Sequence, residues 1–244
     1  MKLTRGVHLC GSGAFGLTPE GDCHCYVLDG GNELALIDCG LAVNPEAILF
    51  QMEKDGLDIG KLRYLLLTHV HPDHANGCSW LRDYRKLQVI TGKFEAQVLE
   101  HGLLETLGLQ AENGKYQQFD KMVRSRADRI IGDNEIIRVG DLKITALITP
   151  GHTAGSVSYE VEIDGRKNLF TGDEVFYQGF VSVLTAPFSD FEHYYDGLKR
   201  LAGRGVEGLF PGHLMWTLQN GQRYIDKALW DFEVPQRPNL KPFS

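Results

Sequence analysis

The stretch Leu65-Leu66-Leu67-Thr68-His69-Val70-His71-Pro72-Asp73-His74 constrains this chain more than any other. An apolar run ends abruptly, and three histidines and an aspartate follow within six residues. Leu65 to Leu67 reads as the end of a buried strand. Pro72 continues neither a helix interior nor a central strand, which places the histidines on a loop at the strand's C-terminal edge. Such a junction lets a rigid strand position a reactive loop. Neutral imidazole is the commonest metal ligand of proteins, and carboxylate suits the same borderline ions. In an extended segment His69 and His71 point to one side, so both can grip the same ion. Asp73 and His74 lie past the proline and point elsewhere, toward a second ion close by. The competing reading, a solvated polar loop, fits a single exposed histidine better than H-x-H-x-D-H behind an apolar strand.

One loop cannot close two metal sites, so further ligands are expected at similar junctions. Three exist: Leu147-Ile148-Thr149-Pro150-Gly151-His152, Leu169-Phe170-Thr171-Gly172-Asp173 and Gly208-Leu209-Phe210-Pro211-Gly212-His213. Each runs from apolar residues through a glycine turn to a ligand-type side chain. Singly they are weak signals; four junctions built alike point to one shared site.

At these residues the chain resembles the metallo-β-lactamase-fold hydrolases. The matching segments are T-H-V-H-P-D-H at Thr68–His74, P-G-H-T at Pro150–Thr153, T-G-D at Thr171–Asp173 and P-G-H at Pro211–His213. The resemblance runs from about Cys23 to His213. It implies an α/β (α+β) fold, the αββα sandwich, with two mixed β-sheets face to face and helices on the outer faces. It also implies two divalent metal ions, zinc first, with iron or manganese acceptable to the same donors. The first ion would take His69, His71 and His152. The second would take Asp73, His74 and His213, with Asp173 bridging both. Asp38, closing Leu34-Ala35-Leu36-Ile37-Asp38, matches a family aspartate that orients the histidine loop; a plain strand-end turn before Gly40 is its other reading. The implied reaction is attack of a metal-activated hydroxide on an acyl carbonyl, with Asp73 as the catalytic proton carrier. Tyr177, four positions after the bridging aspartate, is a candidate substrate contact or a pocket wall.

With 244 residues, 43% hydrophobic and 23% charged, the chain is long enough for one large domain with a substantial core. We read residues 1–244 as one metallo-β-lactamase-like domain. Residues 92–135 form a helix-prone insert, read as a cap, a homodimer contact or a surface helical pair, with His101 facing solvent. Residues 219–244 form a short C-terminal tail with one helix, loose from Pro235. The net charge of -7, without a basic run, argues against a nucleic-acid partner and leaves a small-molecule substrate. No apolar run nears the roughly 18 residues of a membrane helix. No apolar leader follows Met1-Lys2-Leu3-Thr4-Arg5, and five cysteines are an odd number, so a reducing cytoplasm is expected. Cys23-His24-Cys25 reads as core packing rather than as a metal site, because no second cysteine pair accompanies it.

Local signals complete the outline. Asp29-Gly30-Gly31-Asn32 and Asp164-Gly165 mark hairpins. Asn44-Pro45 opens a helix. Gly11-Ser12-Gly13-Ala14-Phe15-Gly16 reads as a flexible active-site loop, since no helix start follows it. Ser189-Asp190-Phe191-Glu192 reads as a capping box. Within the resembled family the compact lactonases fit best: only 31 residues follow His213, too few for the glutathione-binding extension of glyoxalase II. Lactone, ester and thioester substrates stay open. The other readings are a β-lactamase, a persulfide dioxygenase with a single iron, and a non-catalytic metal-binding scaffold.

Overall fold

Side chains alternate between the two faces of a strand, so a strand buried throughout needs a covering layer on each side. The computed structural model, which describes residues 1–103, 122–184 and 189–234, meets that need with two sheets. The first runs β1 (Val7–Gly11), β2 (Cys25–Asp29), β3 (Leu34–Ile37), β4 (Leu62–Leu66), β5 (Gln88–Gly92) and β6 (Arg129–Ile131) in that order. Its β1–β2–β3 part is antiparallel and its β3–β4–β5–β6 part parallel. The second contains β7 (Glu135–Val139), β8 (Leu142–Ile148), β9 (Val157–Ile163), β10 (Arg166–Gly172) and β11 (Gly208–Pro211), in the order β11-β10-β9-β8-β7. Only its β10–β11 pair is parallel. Both sheets are therefore mixed, as expected.

In β3, Leu34 and Leu36 enter one hydrophobic cluster while Ala35 and Ile37 enter another. The second cluster is the inter-sheet core. There Tyr26, Leu28, Ile37 and Ile90 meet Ile144, Tyr159, Phe170 and Phe210. The outer face of the first sheet is covered by α1 (Glu46–Lys54) through Ile48 and Met52, α3 (Cys78–Arg85) through Leu81, and α4 (Lys93–His101) through Val98 and Leu99. The outer face of the second sheet presents Leu147, Leu169 and Leu209. These pack on Tyr194 and Leu198 of α5 (Phe191–Leu201) and on Ile225 and Ala228 of α6 (Gln222–Glu233). Layers therefore stack α/β/β/α.

The local signals divide. Asp29 pairs with Leu34, and Ile163 with Arg166, closing the expected hairpins. Asp164 and Gly165 take φ of 51° and 71°, the left-handed pair that a type I′ turn requires. His69 and His71 lie on the loop after β4 as expected, but Pro72 does more than end it. It opens one helical turn, α2 (Pro72–Ala75), which carries Asp73 and His74. Proline is favoured at that first helical position, where its missing N–H would have had no partner. The next helix is α3. The cap of α5 is Asp190, whose carboxylate accepts from His193 N, while Ser189 Oγ accepts from Leu184 N, so the S-x-x-E reading misplaces the cap by one residue. The glycine-rich segment is closed by internal bonds: Leu17 N donates to Ser12 O, Phe15 N to Ser12 Oγ and Ser12 N to Thr18 Oγ1. Within 92–135, α4 and β6 belong to the core of the first sheet, and the centre of that insert lies outside the described residues. In the tail, α6 completes an outer layer, and residues 235–244 also lie outside. No described helix is long and apolar enough to cross a membrane.

All five cysteines are free and buried. Burial pushes Cys10 up to about 12 and Cys78 to about 11, and holds Cys23 and Cys39 well above the thiol range. Only the thiolate reacts quickly. A thiol reagent should therefore label almost nothing in the native protein and five thiols after denaturation. Rapid native labelling would refute the packing described for these residues.

Candidate metal centre

The strand ends deliver the ligand-type residues to one place. β4 leads to His69 and His71, β8 to His152, β10 to Asp173 and β11 to His213. His71 Nδ1 lies 2.9 Å from His69 Nε2 and 2.9 Å from His152 Nε2. On the other side, His213 Nε2 is 3.0 Å from Asp73 Oδ2 and 3.3 Å from His74 Nε2. Asp173 stands between the groups, 3.4 Å from His74 Nε2, 3.6 Å from His152 Nε2 and 3.5 Å from His213 Nε2. The trios His69–His71–His152 and Asp73–His74–His213 each bring one donor atom per residue within 4.8 Å of the others, and so does His69–His74–Asp173. All seven sequence candidates meet.

Outer partners set which ring nitrogens face inward. Thr68 Oγ1 donates to Asp38 Oδ2 at 2.7 Å, so it accepts from His69 Nδ1–H at 3.1 Å. His152 Nδ1–H donates to the Ser182 carbonyl at 2.8 Å, and His74 Nδ1–H to Asp38 Oδ2 at 2.9 Å. Each neutral ring therefore turns an Nε2 lone pair into the centre. One proton on His71 Nδ1 could satisfy only one of its two 2.9 Å contacts. Asp173 Oδ1 is buried and, among the described residues, accepts no hydrogen bond. Lone pairs and carboxylates packed this closely repel unless positive charge lies among them. The donor set of five imidazoles and two carboxylates fits divalent cations of the zinc, iron and manganese kind. The same demand shows in the protons. Burial opposes charge on His74, yet Asp73, Asp173 and Asp38 outweigh it and push its pKa well above the usual histidine range. Burial, then His74, His71 and His152, hold His69 well below that range.

Asp38 is 1% exposed, takes φ of +56° and also accepts from Thr68 N at 2.8 Å. It closes a strand and accepts hydrogen bonds from the histidine loop at once. Two glycines make the close packing feasible. A Cβ at Gly212 would sit 2.5 Å from Asp173 Oδ1, and one at Gly172 would sit 2.5 Å from Thr68 Oγ1.

Three buried polar residues at the centre carry no ligand motif. Glu95 accepts from Val70 N at 2.9 Å and from Thr153 Oγ1 at 2.7 Å, and burial lifts its pKa to about 7. Glu174 accepts from His152 N at 3.3 Å, and burial pushes it well above the carboxylate range. His24 Nε2–H donates to Leu214 O at 2.8 Å, and burial lowers its pKa to about 4. Glu95 had a legible signal: with Val98 and Leu99 it forms an i, i+3, i+4 stripe on the apolar face of α4. Tyr177 packs against Tyr224 of α6 at 4.7 Å between rings. Its neighbour Phe176 lies 6.4 Å from the His213 ring.

Comparison with known proteins agrees with this geometry. The profile of the Metallo-beta-lactamase superfamily matches residues 18–213. A probable polyketide biosynthesis zinc-dependent hydrolase of Bacillus subtilis is 26% identical over 99% of this chain and 97% of its own length. A human acyl-coenzyme A thioesterase is 29% identical over 77% of this chain and 71% of its own. A hydroxyacylglutathione hydrolase of Anaeromyxobacter dehalogenans is 30% identical over 79% of this chain and 61% of its own. Among solved structures, a HARLDQ-motif mutant of the Cronobacter sakazakii metallo-beta-lactamase superposes with a TM-score of 0.76 at 19% identity, covering 96% of this chain and 92% of that one, a likeness of fold. With the profile spanning four strand-end motifs that meet in space, the chain belongs to the metallo-beta-lactamase superfamily.

Proposed function

We propose that this protein is a metal-dependent hydrolase of acyl carbonyl compounds, lactones, esters or thioesters, whose centre holds two divalent ions, zinc first. The observation that carries this reading is the inward convergence of histidine lone pairs on Asp73 and on an Asp173 oxygen that accepts no hydrogen bond among the described residues. Superfamily membership supports the hydrolytic chemistry. The relatives named as acyl-coenzyme A thioesterase and hydroxyacylglutathione hydrolase favour an acyl substrate. Bound divalent ions supply hydroxide at neutral pH and polarise the scissile carbonyl.

The chain's own residues do the rest. His69 and His74 side chains are buried, whereas that of His213 is 36% exposed, so the substrate carbonyl approaches on the His213 side. Asp73 is placed there with Oδ2 beside His213 Nε2 and takes the nucleophile's proton. As the acyl C–O or C–S bond breaks, Asp73 passes that proton to the leaving oxygen or sulfur. Asp38 and Ser182 O keep the rings of His74 and His152 aimed inward.

Metal analysis of the protein, combined with a panel of lactones, thioesters, β-lactams and phosphodiesters, tests the reading. We expect two divalent ions per chain and turnover of an acyl substrate. Chelation should reduce that turnover to background and lower the melting temperature, and added zinc should restore both. A single iron with oxygen uptake on a glutathione persulfide would overturn it, as would chelator-insensitive hydrolysis.

A further inference from the structure

We propose that Glu95 is the positioning residue of the His69–His71–His152 half of the centre, as Asp38 is of the His74 half; this inference rests on the metal-centre reading above. Glu95 lies in the first turn of α4 and is fully buried. Its Oε2 accepts from the backbone N of Val70, the residue between His69 and His71. Its Oε1 accepts from Thr153 Oγ1, the residue after His152. Thr153 is itself held by Ser156, whose Oγ lies 2.7 Å from Thr153 Oγ1 and accepts from Thr153 N at 3.2 Å. One carboxylate thus spans segments more than eighty positions apart in sequence and contributed by different sheets, β4 and β8.

The local backbone makes room for this link. A Cβ at Gly155 would lie 3.1 Å from Glu95 Oε1 and 2.6 Å from Phe94 Cβ, so the His152 turn passes tightly over the start of α4. His71 and Asp173 also link the two segments, but through the candidate ligand atoms themselves, whereas Glu95 links them from outside the donor set. Asp38 has the complementary set: Thr68 N, Thr68 Oγ1 and His74 Nδ1. Asp38 bonds His74 directly and reaches His69 only through Thr68 Oγ1, whereas Glu95 bonds the His71 and His152 loops, so the two should differ in which ion they affect most.

Metal titration of the full chain against a competing chelator, with zinc and separately with cobalt as a spectroscopic probe, tests this. The wild type should bind two ions. Glu95→Gln keeps the shape but puts an amide N–H₂ where one acceptor oxygen is needed. It should weaken one of the two ions by about 10–100-fold and alter the cobalt spectrum of that site, leaving the other ion within about 3-fold. Thr153→Val removes one donor without touching Glu95 and should weaken the same ion less. The second variant decides the matter if Glu95→Gln does not fold. Unchanged affinities in both variants, with only a lower melting temperature, would reduce Glu95 to a structural contact. Equal weakening of both ions would also overturn the assignment. A wild type that binds no ion would instead remove the metal-centre reading, and this inference with it.

Discussion

Asp73→Asn is expected to leave the fold and metal content nearly intact and to lower kcat by about 10²–10⁴, the usual worth of a positioned acid or base. Asparagine has the same shape and keeps one oxygen toward His213. It cannot take a proton at neutral pH. The backbone of Asp73 serves the fold separately, its carbonyl accepting from Cys23 N at 3.3 Å, and that bond survives the substitution. Asp73 also begins α2 next to Pro72, where an asparagine is tolerated. Because Asp73 is a candidate ligand as well as a proton carrier, kcat and bound metal must be measured on the same preparation. Two retained ions with a collapsed kcat and a similar KM would support the proton role. Loss of one ion in step with activity would make Asp73 a ligand first. An unchanged kcat with both ions bound would end its catalytic assignment.

The centre was far more legible in the chain than its supports were. Each candidate ligand follows an apolar strand, at three of the four junctions through a glycine turn, so motif and local structure announce one another, from Leu65–His74 to Phe210–His213. A buried carboxylate that braces a loop has no such frame. Glu95 in a helix's first turn looks like an ordinary solvated acid favoured by the helix dipole, and only the apolar stripe it shares with Val98 and Leu99 says otherwise. Glu174 directly follows a candidate ligand, Asp173, and is hidden by it. Layering was expected from the family resemblance rather than from periodicity, because a strand such as β3 is buried on both faces and shows no alternation. The helical turn over Asp73 and His74 was not foreseen, because the same residue that cannot continue a helix is well suited to start one. Tyr177 and Phe176 show a further limit: after the turn at Asp173 nothing in the sequence fixes which aromatic faces the centre, and packing on Tyr224 of α6 decides it.

Asp38→Ala should cost about 4 kcal/mol of stability, because three buried donors lose their acceptor together. Thr68 N, Thr68 Oγ1 and His74 Nδ1 all point at this carboxylate, 2.7 to 2.9 Å away. Alanine at φ of +56° adds backbone strain of about 1 kcal/mol. For a domain of this size the melting temperature should fall by roughly 10 °C. Two further variants separate the contributions. Asp38→Gly relieves the backbone yet still lacks the acceptor, so it should melt above the alanine variant by the strain alone. Asp38→Asn tolerates the left-handed backbone and keeps one oxygen, but its N–H₂ meets either Thr68 N–H at the Oδ1 position or Thr68 Oγ1–H and His74 Nδ1–H at the Oδ2 position. It should be the most stable of the three and still below wild type. Freed from Asp38, the His74 ring can rotate or take its other tautomer, so all three variants should weaken the ion of the Asp73–His74–His213 trio most. That is the opposite ion from the one Glu95→Gln should lose. Melting temperatures within about 2 °C of wild type across the series, or loss of the same ion in the Asp38 and Glu95 variants, would contradict a centre braced by one carboxylate on each side.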